Sequence, residues 1–212
     1  MSTFTLPINI LVAARTHCAI KDPRYYLRGI CVDFARGRVM ATDGKRLFIA
    51  GVPVTDAGAS VGQVLISNEL LDQAIKAYKK ADTVELTIDG TKLTFSALGM
   101  VITGAMMDGR FPDVDRVIPD TVSGELAQYD AEFIADANKA LIIATDAKKG
   151  TLYPLLHNGA YAGVMFAEQA NGLPVLSIIM PYRCDMSADT ASAVCRAVKR
   201  ANLPAPDAAQ AA

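Results

Sequence analysis

The sequence predicts an α+β fold made from a strand–helix–three-strand unit used about three times. Helix patterns begin near residues 8, 67 and 131, and that regular spacing of about 60 residues marks a repeated supersecondary unit. Apolar alternation with period 2 fills the intervals, as half-buried strands require. Single strands never alternate with single helices, which excludes a doubly wound nucleotide-binding sheet.

The first helix is expected over Ile8–Ile20, with Pro7 suiting its first turn, Leu11, Ala14 and Cys18 on one face, and Pro23 ending it. Arg24–Ala50 then reads as two strands about a turn at Ala35-Arg36-Gly37, followed by the polar elbow Thr42-Asp43-Gly44-Lys45-Arg46. Ile30, Val32 and Phe34 alternate on one side of the turn, and Phe48, Ala50 and Val52 resume the alternation after the elbow. Asp43-Gly44 between apolar runs is a hairpin signal, because the tightest hairpin turns need positive φ at their centre.

A short strand, Gln63–Ile66, leads into the second helix. Ser67 is a good N-cap and Glu69 stands in the first turn. Lys76, Lys79 and Lys80 crowd the last turns, so charge complements the helix dipole. Leu70, Leu71, Ala74, Ile75 and Tyr78 form its apolar stripe. Strands follow at Thr83–Ile88, Lys92–Phe95 and Met100–Met106, the first two joined at Asp89-Gly90. The third unit is expected to comprise a strand at Glu125–Tyr129, a helix at Ala131–Ala147, and strands at Thr151–His157, Ala162–Ala167 and Val175–Tyr182. Beyond it, Ser187–Ala201 suits a short helix capped by Ser187 or Asp189. The Ala/Pro-rich LPAPDAAQAA reads as a disordered tail.

Composition bounds the function. The 212 residues are 51% hydrophobic and 20% charged, enough apolar material for a sizeable core. A net charge of −1 excludes a wholly basic nucleic-acid coat but allows a basic face on an acidic body. No apolar run is long enough to span a membrane, and MSTFTLPINI lacks a signal peptide's features, so a cytoplasmic location is expected. Cys18, Cys31, Cys184 and Cys195 show no metal-type spacing with His17 or His157 and read as reduced thiols. No cofactor or metal is expected.

Catalytic motifs are absent: there is no GxGxxG, phosphate-binding lysine loop, GxSxG or HExxH. His17 reads as a packed or surface residue rather than a base. Asp113 and Asp115 read as capping backbone amides rather than holding metal. An enzyme on this scaffold is therefore the weakest class. Cations recur on every helix: Arg15 and Lys21, then Lys76, Lys79 and Lys80, then Lys139, Lys148 and Lys149. If repeats present equivalent faces, these make one surface for phosphates without base readout, beside Arg24, Tyr25 and Tyr26.

Four segments, RYYLRG (Arg24–Gly29), ATDGKRL (Ala41–Leu47), DGRFPDVDRVIP (Asp108–Pro119) and IIMPYR (Ile178–Arg183), resemble the signatures of the bacterial sliding clamp, the beta subunit of DNA polymerase III, in that family's order. The resemblance implies a DNA-clamp fold, antiparallel sheets outside and helices lining the inner face of a ring. It implies a processivity factor with no catalytic residues, whose partners are double-stranded DNA, a DNA polymerase or other proteins carrying clamp-binding peptides, and a clamp loader. Residues 1–119 resemble the family's middle domain with two repeats, 120–184 a half-sized C-terminal module, and 185–212 are an added helix and tail. Twelve repeats would need four chains of three, so a homo-oligomeric ring of four is expected.

The implied partner-peptide pocket comprises Leu27, Thr42, Gly44, Arg46, Leu47, Pro112, Arg116, Val117, Ile178, Met180, Pro181, Tyr182 and Arg183, with an apolar floor, an adaptable methionine and arginines at the rim. Lys45 stands where the family usually has histidine, and Cys184 where it ends in leucine. The implied DNA contacts are Lys21, Arg24, Tyr25 and Tyr26, with Lys76, Lys79, Lys80 and Lys139 added from helix geometry. The alternative is a clamp-derived adaptor that binds the same peptides without encircling DNA.

Overall fold

The computed structural model describes residues 1–53, 60–182 and 188–201. Among its described residues, the main body, Met1–Tyr182, carries two antiparallel sheets and three α-helices of eight residues or more. The chain runs β1 (Ser2–Pro7), α1 (Ile8–Arg15), β2 (Gly29–Asp33), β3 (Arg38–Thr42), β4 (Arg46–Gly51), β5 (Gln63–Ser67) and α2 (Asn68–Tyr78). It continues through β6 (Thr83–Asp89), β7 (Lys92–Ala97), β8 (Met100–Ala105), α3 (Ala131–Thr145), β9 (Gly163–Glu168) and β10 (Pro174–Ile179). Helix α4 (Ala188–Ala201) belongs to a separate unit.

One sheet has the order β1-β6-β7-β8, the other β5-β2-β3-β4-β10-β9. Each of the first two repeats lends its opening strand to the other's sheet: β1 pairs with β6, and β5 with β2. The third repeat joins through its last strand, with Val175–Ile179 antiparallel to Ala50–Arg46 of β4.

The helices cover one side of both sheets, with α1 packed against both α2 and α3. Ile10, Leu11, Ala14, Leu71, Ala74, Ala137 and Leu141 are all buried there, over Ile30, Val32, Phe48, Leu86, Phe95 and Ile179. Burying each large aliphatic side chain favours folding by about 1.5–3 kcal/mol. Phe4 stacks on Phe34 with centroids 3.9 Å apart, joining the two sheets. A second, smaller core lies on the other side of the six-stranded sheet. There Phe111 and Val114 cover Cys31, Met40, Leu47, Leu65 and Ile178, so β2 is buried on both faces.

Local chemistry explains the boundaries. Ser67 accepts the Leu70 N–H at 3.3 Å, capping α2 as its sequence implies, and Asp130 does the same for α3 through the Glu132 N–H at 2.9 Å. Helix α1 stops at Arg15, short of the expected Ile20. The Thr16 hydroxyl turns back to the Ala13 carbonyl at 2.7 Å, and the Ala19 N–H goes to Leu27 instead of continuing the helix. Helix α3 stops at Thr145, because Asp146 takes a left-handed conformation (φ 51°).

Two expected strands are not strands. Over residues 151–157 the backbone partner is a side chain: Asn138 donates to the Thr151 carbonyl at 3.0 Å and accepts the Tyr153 N–H at 2.8 Å, leaving only the bridge Leu156–Val164. Residues 125–129 keep one bridge, Gln128–Tyr182, while the Ala127 N–H goes to His157 Nδ1 at 3.1 Å. The third unit is thus abbreviated to a helix and two full strands. The expected helix cap at Ser187 and the C-terminal tail lie outside the described residues; α4 begins at Ala188.

Candidate peptide pocket and helix face

The elbow between β3 and β4 is built by its own side chains. Asp43 Oδ1 accepts the N–H groups of Lys45 and Arg46 at 2.9 and 3.0 Å, while the Thr42 hydroxyl accepts the Gly44 N–H at 3.0 Å and donates to the Arg46 carbonyl at 2.7 Å. Gly44 takes φ +90°, a conformation that L side chains rarely adopt, so the backbone demands glycine there; Arg24 Nη2 lies over it, 2.7 Å from where a Cβ would stand.

Beside this elbow lies a concavity of about 180 Å³, on the sheet face away from the helices. Its floor is one row across three strands: Thr42 opposite Leu47, and Leu47 opposite Ile178. Leu27 closes one side, Met180 another, and Pro112, Val114 and Val117 stand over it. The apolar walls and small volume suit a hydrophobic side chain or two rather than a large ligand.

The wall at Val114–Val117 is a 3-10 turn pinned to the β2–β3 hairpin. Asp115 receives Arg38 Nη1 at 2.6 Å and also bonds Arg36. The two guanidiniums, Arg38 foremost, hold its carboxyl below the usual range.

Of the expected pocket residues, Leu27, Thr42, Gly44, Arg46, Leu47, Pro112, Val117, Ile178 and Met180 line the concavity. The others do not. Arg116 is exposed and paired with Asp113 at 3.1 Å. Tyr182 bonds Gln128 through its backbone and donates its hydroxyl to Asp130 at 2.9 Å, which places it at the N-terminus of α3 and pushes its phenol pKa up. Pro181 lies between Met180 and that anchor, and Arg183 falls outside the described residues.

Arg46 lines the wall, yet its donors point inward rather than to the rim. Nε reaches Asp43 at 3.0 Å, Nη2 the Thr16 carbonyl at 3.1 Å and Nη1 Asp136, with the guanidinium 4.8 Å over the Phe133 ring. Behind it, His17 is fully buried between the Thr16 hydroxyl (2.8 Å) and Ser177 Oγ (2.9 Å), and burial, with Arg46 nearby, lowers its pKa to about 3.

Arg24, Lys45, Asp113 and Val114 also line the concavity, though sequence reasoning left them out of the pocket. All four lie within the matched segments, and for Lys45 the alternation with Leu47 beside a glycine turn was the available signal. Lys45 is exposed, 5.9 Å from the Phe133 centroid. Arg24 is held by a bidentate pair with Asp22 at 2.9 and 2.8 Å, which lowers the Asp22 pKa to about 2.

The expected DNA residues divide between two places. Lys76, Lys79, Lys80 and Lys139 are exposed on or just past α2 and on α3, in the helix layer. Lys21 is exposed in the loop after α1. Tyr25 and Tyr26 meet edge-to-face at 5.8 Å and pack near Gly109, beside the pocket-side segment rather than among the helix lysines. No cluster of ligands suited to a metal ion occurs among the described residues, and no described helix is long and apolar enough to cross a membrane.

Residues 9–113 match the central domain of the DNA polymerase III beta subunit. The beta sliding clamp of Caulobacter vibrioides is 29% identical over 119 residues, covering 53% of this chain and 32% of its own length. That of Vibrio cholerae is 28% identical over 163 residues, covering 76% and 44%. The chain therefore spans about a third to under a half of the length of these relatives. Among solved structures, a beta sliding clamp from Caulobacter crescentus superposes with a TM-score of 0.69 at 18% identity, over 87% of this chain and 66% of that one. The beta subunit from Pseudomonas aeruginosa gives 0.67 at 16%, over 87% and 67%. Family match and shared fold agree: through residues 9–113 the chain belongs to the DNA polymerase III beta subunit family, and it has the clamp fold.

Proposed function

We propose that this chain is a sliding-clamp-type processivity factor, holding duplex DNA loosely and tethering a polymerase or another partner through a hydrophobic peptide. The observation that carries this reading is the concavity itself: Leu27 and Leu47, Pro112 and Val117, and Ile178 and Met180 come from three distant segments and converge on one apolar site. A peptide's apolar side chains would be desolvated on the Leu47–Ile178 floor, with Met180 adapting to their shape. Tethering raises the partner's effective concentration at the template, and no bond is made or broken by the chain.

Residues 1–119 then serve as the middle-domain-like part and 120–184 as the C-terminal-like half. The helix layer, on the opposite side of the sheet from the pocket, would face DNA. Lys76, Lys79, Lys80 and Lys139 there would neutralise phosphates without reading bases. Encirclement needs several copies, and four chains of three repeats supply the twelve repeats of such a ring. The soluble replication setting implies the cytoplasm and a clamp loader as a further partner.

Fluorescence anisotropy with a short peptide carrying adjacent leucine and phenylalanine tests the pocket. Met180→Ala, at a half-exposed position, should weaken binding about tenfold, on the order of 1.4 kcal/mol. Unchanged affinity would reject the site. Duplex binding should fall steeply with salt and disappear in a Lys76→Glu, Lys79→Glu, Lys80→Glu variant. The net charge of −1 favours a second reading, an adaptor that binds such peptides but not DNA. Peptide binding with no measurable duplex affinity at low salt would establish it.

A further inference from the structure

We infer that Tyr182 is a positioning residue for the partner pocket: by fastening the end of β10 to the N-terminus of α3, it sets Met180 in the pocket wall before a peptide arrives. This role rests on the peptide-binding reading proposed above. Tyr182 itself does not line the concavity, so whatever it does for a peptide passes through Met180.

Strand β10 ends at Ile179, and the chain leaves the sheet at the residue that forms the wall. Met180 donates its N–H to the Lys45 carbonyl at 2.9 Å, which ties its backbone to the β3–β4 elbow, while its side chain stays 44% exposed. Pro181 has no N–H to give. The next hold is therefore Tyr182, and it is double. Its N–H goes to the Gln128 carbonyl at 2.8 Å, and its hydroxyl donates to Asp130 Oδ2 at 2.9 Å.

The two halves of this hold differ in what stands behind them. The one bridge within residues 125–129 is the bridge from Gln128 to Tyr182 itself, so Gln128 is a weak support. Asp130 is a firm one. Its Oδ1 accepts the Glu132 N–H at 2.9 Å, so a single carboxylate caps α3 and takes the phenol. A helix N-terminus favours that negative charge, and a hydrogen bond to a carboxylate is stronger than one to a neutral acceptor. In keeping with this, the Tyr182 hydroxyl, foremost, holds the Asp130 carboxyl below the usual range. Helix α3 is fixed in turn by Ala137, Ala140, Leu141 and Ala144, all buried in the shared core.

A wall residue held in place presents a peptide with a preformed site. Once released, only a fraction of the molecules is competent, and apparent affinity falls by that fraction. The loss falls on association, because the contacts made in the bound state are the same.

Stopped-flow anisotropy with the leucine–phenylalanine peptide and NMR of the Met180 ε-methyl group test this on the whole chain. Tyr182→Phe removes one oxygen from a mostly exposed ring, so thermal melting should not change. It should lower the association rate constant by about threefold or more, leave dissociation unchanged, and shift or broaden the Met180 methyl signal without peptide. Met180→Ala, which removes a contact, should instead speed dissociation. Asp130→Ala should also slow association, and adding Tyr182→Phe to it should do nothing further, since both remove one bond. An unchanged association rate or methyl signal in Tyr182→Phe would overturn the proposal. So would faster dissociation alone, which would make Tyr182 a peptide contact, or effects of the two substitutions that multiply. If the unaltered chain binds no peptide the functional reading falls, and the methyl signal alone then decides whether Tyr182 positions Met180.

Discussion

Arg46 shows how one residue of a matched motif can serve the fold before any partner. Its guanidinium joins the elbow (Asp43), the end of α1 (the Thr16 carbonyl) and α3 (Asp136 and the Phe133 ring), three segments that the pocket needs in register. Arg46→Ala should therefore destabilise the protein by about 2 kcal/mol in urea unfolding, and Arg46→Lys should not restore it, because an ammonium lacks the planar set of donors. His17, behind it, makes stability depend on pH. Its folded pKa of about 3 lies below the ordinary 6.5, so between those values the unfolded chain binds more protons than the native one. Stability is full above pH 6.5 and falls as the pH drops, by about 1.4 kcal/mol per pH unit inside that window. Comparing urea midpoints at pH 7 and pH 5, above the carboxylate range, should show this loss, and His17→Gln should flatten it. Neither role was legible locally: the His17 hydrogen bond to Ser177 spans 160 positions, and no pattern in either segment announces it.

At the scale of elements, legibility followed the reach of the determining interaction. The Asp43-Gly44 elbow, the turn at Gly90 and the Ser67 cap were readable, since neighbouring residues satisfy those backbones. Residues 151–157 were misread because a side chain from α3, Asn138, supplies their partners. The β7–β8 turn falls in the expected gap after Phe95, with Gly99 at φ 74°, but nothing local announces that Leu98 before it takes a left-handed conformation (φ 51°), which leucine rarely adopts. Since the left-handed region costs such a residue about 1–2 kcal/mol, Leu98→Asn should stabilise the protein by about 1 kcal/mol, seen as a higher melting temperature. The Val114–Val117 wall depends on Asp115 and its two arginines, all partly exposed, so Asp115→Ala should cost little stability. It should instead weaken a pocket-bound peptide several-fold by loosening the wall, a separation that parallel anisotropy and melting measurements would reveal.

At the scale of the molecule, the repeat was legible from its spacing, while the way its copies merge was not. Periodicity locates faces, but β10 meets β4 across more than a hundred positions, and α1 lies between α2 and α3. As a result Ala137, Leu141 and Ala144 of the third repeat share one core with Leu11, Phe48 and Leu71 of the first two. A shared core couples the repeats in unfolding. Leu141 is fully buried, so Leu141→Ala should cost about 2–5 kcal/mol through lost transfer and the cavity left behind. Because the six-stranded sheet carries strands of all three repeats, the penalty should appear as a downward shift of one calorimetric transition for the whole Met1–Tyr182 body. A second transition that moves alone with Leu141→Ala would instead show that the residues after 119 unfold independently, and that the continuous sheet does not couple them.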